Sequence, residues 1–220
     1  MCGRFALKAP PSELITHFGL DECAEFGPRY NIPPGTDTPV IRQSPDGKRV
    51  LQLLRWGLIP HWAKDPLIGN KLNNARGESL ADKPSFSDAF RRRRCLIPAS
   101  GFFEWKTDGK VKTPYYFQLK SAEPLALGGL WESWASPEGK IVRTFCVITT
   151  KANELMTPIH ERMPVIIHSK NFGKWLDFAV EGNDLKLLVA PFPTEALETW
   201  PVSKAVSRTG NDGPELLART

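Results

Sequence analysis

The chain begins MCGRFAL, and its second residue is the one whose type and position offer the most unusual chemistry. A methionine standing before so small a residue is normally removed by aminopeptidase, so Cys2 is expected to start the mature chain with an α-amine and a thiol on one residue. A terminal amine titrates near ~7.7–8.0 and a free thiol near ~8.5, so both hold nucleophilic fractions close to neutral pH. The competing reading makes Cys2 a small buried residue of an N-terminal strand. Glu104 sits between Phe103 and Trp105 in SGFFEWK. Desolvation there would raise its pKa and suit it to proton transfer, whereas simple alternation along a strand would turn it to water. His160 in TPIHERMP has the reference pKa of a general acid or base, or is a hydrogen-bonding loop residue. Asn74 and Arg76 in NNAR, and Asn31 in RYNIPPG, are polar residues in turn-prone settings.

These residues must be held by a scaffold, and the sequence signals mostly antiparallel sheet. SPDGK (44–48), TDGK (107–110) and SPEGK (136–140) are turn signals, each between two segments rich in Val, Ile, Phe, Tyr and Trp. The flanking pairs are VIRQ with RVLQLLRW, GFFEWK with TPYYFQL, and LALGGLWESW with IVRTFCVITT. Helical spacing is confined to SELITHFG, SFSDAFRRR and SKNFGKWLDF, with Ser12, Ser85 or Ser87, and Ser169 as expected caps. The pattern predicts an α+β single domain over residues 1–220: a curved, barrel-like antiparallel sheet with a few short peripheral helices. The last ~14 residues read as a tail. WGLIPHWAKDPLIGNKLNNAR (56–76) has little regular pattern, and long irregular loops inside compact domains usually serve function.

Composition narrows the class. The formal charge is +5, and all of the excess lies in residues 1–110, a modest bias compatible with a polyanionic partner. Its densest run, Arg91–Arg94, reads as a solvated helix end or a phosphate contact. Cys2, Cys23, Cys95 and Cys146 form no CxxC pair and no zinc-ligand spacing with the four histidines, and no export signal or long apolar run is present, so reduced thiols in the cytoplasm are expected. The mechanical parts of dinucleotide, P-loop, zincin and α/β-hydrolase sites are missing.

The segments MCGRF, RYNIPPG, RWGLIPHWAKD, NNARGES, RCLIPASGFFEWK, LGGLWESW, CVITTKAN, IHERMPVII and WPVSKAV occur in that order from residue 1 to about residue 206. Together they resemble the SRAP family, the SOS response-associated peptidases or abasic-site-processing proteins, whose animal member was first described as a binder of 5-hydroxymethylcytosine. Asn73, where the family more often has an apolar residue before NAR, and Glu161, where Asp is common, depart slightly from the family pattern, away from the residues that carry chemistry. The resemblance implies that Cys2, freed of Met1, attacks the ring-opened aldehyde of an abasic deoxyribose in single-stranded DNA and closes a thiazolidine crosslink. It further implies that Asn74 orients the aldehyde, that Glu104 assists imine formation and that His160 moves protons. Arg4, Arg76, Arg162, Trp62, Trp105, Asn31 and Thr149 fall within the matching motifs as expected DNA contacts. No cofactor, metal or membrane is implied; the partner is abasic single-stranded DNA or its junction with duplex, bound by a monomer in the cytoplasm, at the nucleoid in a bacterium. A second reading keeps Cys2 as the nucleophile of a thiol autopeptidase or N-terminal-nucleophile hydrolase, matching the family's peptidase label, with lyase-like imine chemistry as a further expectation. A third, noncovalent binding of modified bases, gives a terminal cysteine no task.

Overall fold

The turn sequences SPDGK, TDGK and SPEGK close the three long hairpins around which the chain is built. Residues 2–220 are described in the computed structural model, and the expected removal of Met1 lies outside them. Among the described residues, twelve strands follow in order: β1 Phe5–Leu7, β2 Arg29–Ile32, β3 Asp37–Gln43, β4 Arg49–Trp56, β5 Asn74–Arg76, β6 Arg94–Ala99, β7 Gly101–Asp108, β8 Val111–Leu119, β9 Leu125–Ala135, β10 Ile141–Lys151, β11 Arg162–Pro164 and β12 Leu197–Pro201. Four short helices, α1 Pro11–Phe18, α2 Ser87–Arg92, α3 Phe172–Leu176 and α4 Asn183–Leu188, decorate them. None is long and apolar enough to cross a membrane.

The hairpins have the expected register: Val40 opposes Gln52 across β3–β4, Glu104 opposes Tyr115 across β7–β8, and Val142 opposes Trp134 across β9–β10. Gly47 and Gly139 take φ of 82° and 81° at two of the turns, where a side chain would be strained. Two of the hairpins then join through a parallel pair, Thr144 beside Arg55 and Phe145 beside Trp56, while β6 bridges β3 and β9. The ring β10–β4–β3–β6–β9 is therefore a closed, mixed five-stranded barrel. The barrel-like sheet is as expected, and its strands are antiparallel apart from the pairings of β10 with β4 and β5; hairpin turns report only sequence-adjacent pairings, so the parallel closure left no local signal. The barrel is tight at Gly129, where an added Cβ would lie 2.3 Å from Ile97 Cδ1 and 2.7 Å from the Cys146 carbonyl oxygen.

A second, antiparallel sheet is ordered β12–β8–β7–β1–β2. Alternation along β7 divides its side chains: Phe102 joins the main core shared with the barrel, whereas Phe103 packs with Ala6, Tyr116, Val202, Val206 and Leu216 on the opposite face. The C-terminal residues cover that face. Leu216 is buried, Trp200 Nε1 donates to the Leu217 carbonyl at 2.9 Å, and the Thr220 N–H reaches the Pro201 carbonyl at 3.1 Å.

The helices form where expected, but their caps differ. α1 opens with Pro10 at the cap and Pro11 in the first turn, so fixed φ starts the helix and Ser12 lies inside it. Neither Ser85 nor Ser87 caps α2, whose cap residue is Phe86. Ser169 begins a 3₁₀ turn that runs into α3 and likewise makes no cap bond.

The arginine run is also corrected. Arg93 pairs with Asp88 and, at 2.8 Å, with the buried Glu132. Arg94 is wholly buried and is neither a solvated helix end nor a phosphate contact. Its guanidinium donates to the carbonyls of Trp175 (2.7 Å), Phe90 (2.7 Å), Arg91 (3.1 Å), Val180 (3.4 Å) and Asp177, tying α2 and α3 to β6. Burial pulls its pKa down to about 10, which leaves it charged at neutral pH. Arg94→Ala would strand these carbonyls and is expected to cost about 3–5 kcal/mol. Urea unfolding checks this; a loss below about 1 kcal/mol would mean that water replaces the guanidinium without penalty.

Candidate active site

The antiparallel register of β1 on β7 brings the amino-terminal cysteine to the glutamate. Phe5 opposes Phe102, Ala6 opposes Gly101, and the Phe103 N–H donates to the Arg4 carbonyl at 2.9 Å, so the segment before β1 runs on past Glu104. Cys2 is completely buried against the barrel-side core, so the strand-residue reading is correct about its burial. Glu104 shares the Phe102 side of β7 and is only 3% exposed, which settles its alternative orientations in favour of the interior.

Burial pushes the Cys2 thiol up to about 12, with the neighbouring Glu104 charge acting in the same direction, so the resting sulfur is protonated. Burial likewise raises Glu104 above the ordinary carboxylate range, and the nearby His160 partly opposes that rise. Cys2, Glu104 and His160 therefore interact electrostatically as one cluster. A glutamate raised by desolvation can hold a proton nearer to neutral pH than a solvated one.

His160 lies on the loop from β10 to β11. Its Nδ1 lies 2.9 Å from the Arg162 backbone nitrogen and 3.1 Å from the Arg162 carbonyl oxygen, which seats the ring against the start of β11. Asn74 begins β5, which runs parallel to β10 with Asn74 opposite Val147. The loop before it is well anchored despite its irregular sequence: Trp56 Nε1 donates to the Asn73 carbonyl at 2.8 Å, the Leu58 N–H to the Leu72 carbonyl at 3.1 Å, and Pro66–Lys71 forms a 3₁₀ helix capped by Asp65. Asn74 Oδ1 is thereby held buried without a hydrogen-bond partner, an acceptor available to a bound hydroxyl. Asn74 and His160 thus flank the carboxyl-terminal end of β10.

The remaining expected contacts divide by accessibility. Arg76 is exposed, with no ion-pair partner among the described residues. Arg4 is half-buried, donates to Asn31 Oδ1 at 3.0 Å and has its guanidinium carbon 6.0 Å from the centre of the Trp105 ring. Trp105 is half-buried and donates from Nε1 to Ser207 Oγ at 3.1 Å, while Trp62 is 50% exposed and free to stack. Asn31 is buried, its amide donating to the carbonyls of Val206, Arg208 and Asn211, so it positions Arg4. Thr149 is also buried, and its hydroxyl faces the Ala75 carbonyl at 3.4 Å. Arg162 is paired with Glu78, a residue sequence reasoning passed over although it stands in NNARGES, two positions after Arg76.

Glu104's raised pKa has a testable consequence for stability. The folded state retains a proton that the unfolded chain releases near ~4.3, so this contribution is full below that pH and is lost as pH rises through the folded value. Glu104→Gln, neutral throughout, is expected to melt like the parent at pH 4 and at a higher temperature at pH 8. Equal melting temperatures at both values would show that the carboxyl is well solvated.

Comparison with known proteins points one way. A family model described as SOS response associated peptidase (SRAP) matches residues 1–209. The abasic site processing protein YoqW of Bacillus subtilis is 43% identical over 222 residues, covering 99% of both chains. The abasic site processing protein HMCES of Xenopus tropicalis is 31% identical over 263 residues, covering 99% of this chain and 78% of its own. A crystal structure of a protein from Bacteroides thetaiotaomicron superposes with a TM-score of 0.91 at 25% identity, covering all of both chains.

Proposed function

The chain belongs to the SRAP family, and from that premise we propose that it processes abasic sites by bonding covalently to them through Cys2. The observation that carries this reading is the burial of Cys2 beside Glu104, with His160 acting on the same carboxylate. In the mature chain the α-amine of Cys2 attacks the C1′ aldehyde of the ring-opened deoxyribose. One water leaves as the imine forms; the sulfur then bonds to the same carbon while its proton passes to nitrogen. The product is a five-membered thiazolidine, and no oxidant or reductant is consumed. Ring closure is intramolecular, where effective concentrations reach roughly 10⁵ M or more.

Glu104 is suited to give a proton to the departing hydroxyl and to take one back when the crosslink reverses. His160 is suited to move the proton that opens the sugar ring. Asn74 Oδ1 can accept the hydrogen bond of a sugar hydroxyl. Arg76 and Arg4 meet phosphates, and Trp62 offers a stacking face to a base, as aromatic side chains do in single-strand binders. The partner is abasic single-stranded DNA or its junction with duplex, bound by a monomer, and the place of action is the cytoplasm, at the nucleoid in a bacterium.

The autopeptidase reading has less support. A thiol peptidase works through a thiolate, whereas burial and Glu104 hold the Cys2 sulfur protonated. A thiol that closes on an imine needs no resting thiolate, because the imine nitrogen takes its proton. The deciding test is incubation with a single-stranded oligonucleotide bearing one abasic site, followed by a denaturing gel. A retarded band that survives denaturation is expected; its absence, with intact mass showing Met1 removed, would overturn the proposal.

A further inference from the structure

Arg162 is the one expected phosphate contact that the fold closes off. Its side chain is 11% exposed, and its guanidinium is shared between Glu78 and Thr149. Nη1 donates to Glu78 Oε1 at 2.6 Å and Nη2 to Glu78 Oε2 at 2.9 Å, a bidentate fork, while Nη2 also reaches the Thr149 carbonyl at 2.7 Å. Nε is buried with no partner. No phosphate can approach this guanidinium while Glu78 stays in place. Glu78 itself is lightly held on the other side: its carboxylate side chain is 47% exposed, and it sits on the single 3₁₀ turn Gly77–Ser79 directly after Arg76.

A carboxylate and a phosphodiester present the same pair of oxygens to the fork of an arginine. We propose that Glu78 is a specificity-determining residue that occupies Arg162 in place of a DNA phosphate and yields to one only when a strand is already seated at Arg76. This rests on the reading that the site binds DNA. The exchange conserves hydrogen bonds: Glu78 turns into water, and two phosphate oxygens take its position on Nη1 and Nη2. Because one anion replaces another, Arg162 adds little affinity for a strand passing over the surface. A strand held by other contacts, or by the bond to Cys2, presents its neighbouring phosphate at high local concentration and completes the exchange. The Arg162 backbone also meets His160 Nδ1, its nitrogen at 2.9 Å and its carbonyl oxygen at 3.1 Å, so the exchange occurs at the residue against which the histidine is seated.

The test uses the full chain and a fluorescent, undamaged oligothymidine, with anisotropy read across a potassium chloride series. Glu78→Gln is expected to bind about tenfold more tightly at low salt. The slope of log affinity against log salt should steepen by about 0.7, the value for one more phosphate neutralised on a single strand. The gain should vanish in Glu78→Gln/Arg162→Gln and should exceed that of Glu161→Gln, a control of equal charge change on the exposed neighbouring loop. Unchanged or weaker binding by Glu78→Gln, a gain that survives loss of Arg162, or an equal gain from Glu161→Gln would each overturn the proposal. Should Glu78→Gln fail to fold, Glu78→Asp keeps the charge but shortens the fork, and binding between that of the parent and tenfold tighter is expected; binding no tighter than the parent overturns it. The two proposals fail separately. No abasic adduct with the parent chain, together with an Arg162-dependent gain, sinks the crosslinking reading alone; an adduct without that gain sinks only the exchange at Glu78.

Discussion

Replacing Cys2 by Ala is expected to remove the denaturation-resistant band formed with abasic single-stranded DNA, lowering its yield at least about 100-fold. The variant still loses its initiator methionine, because alanine too is small, so it keeps the terminal amine and loses only the sulfur. It should therefore form an imine that reverses on denaturation and is trapped only when borohydride is present. The same imine, no longer drained into a ring, promotes β-elimination, so cleavage of the DNA strand should rise as the stable adduct falls. Ring closure is the step at stake, and its advantage is the roughly 10⁵ M or greater effective concentration of a thiol already attached to the reacting nitrogen. A Cys2→Ala chain that makes the stable adduct as well as the parent would place the covalent bond on another residue.

Glu104 should govern the rate rather than the existence of that adduct. Glu104→Gln preserves the shape of the side chain beside Cys2 but cannot exchange a proton, and proton transfer by a positioned group is typically worth about 10²–10⁴-fold. Single-turnover crosslinking is expected to slow by that range, with affinity for the undamaged strand changing less than threefold. Reversal should slow in parallel, since the same carboxyl serves both directions. The pH–rate profile supplies the readout that a packing role would not move. Burial raises the Glu104 pKa, so the parent's limb governed by this group should lie above the ordinary carboxylate range, and the variant should lack it. A variant that retains the parent's rate and profile would remove Glu104 from the proton path. The same substitution is expected to stabilise the fold at pH 8, as argued above, which is the relation between activity and stability expected where a carboxyl is buried for chemistry.

Much of this was legible in the chain itself. The Asp-Gly and Pro-Glu-Gly turns define three hairpins because tight turns between β-forming segments are local events, encoded within a few residues. Cys2, Asn74, Glu104 and His160 stood out in the sequence as candidates, and the roles proposed for them come from the resemblance to the SRAP family. Sequence alternation could not decide whether Glu104 faced water, because both faces of its sheet are covered: one by the barrel, the other by Val202, Val206 and Leu216 from the far end of the chain.

What only the tertiary structure decided is pairing between distant segments. The barrel closes through β4 and β10, about ninety residues apart and parallel, a contact that no turn announces. Arg94 looked like part of a solvated cationic run and is instead buried among backbone carbonyls, because α3 folds back over it. Arg162, expected as a DNA contact, is held by Glu78, 84 residues away in sequence. Asn31 and Thr149, expected as DNA contacts, are buried by long-range packing. Residue type and spacing determine which groups have chemistry to offer, whereas burial and partner, set by long-range packing, determine whether each is exposed, neutral or already occupied.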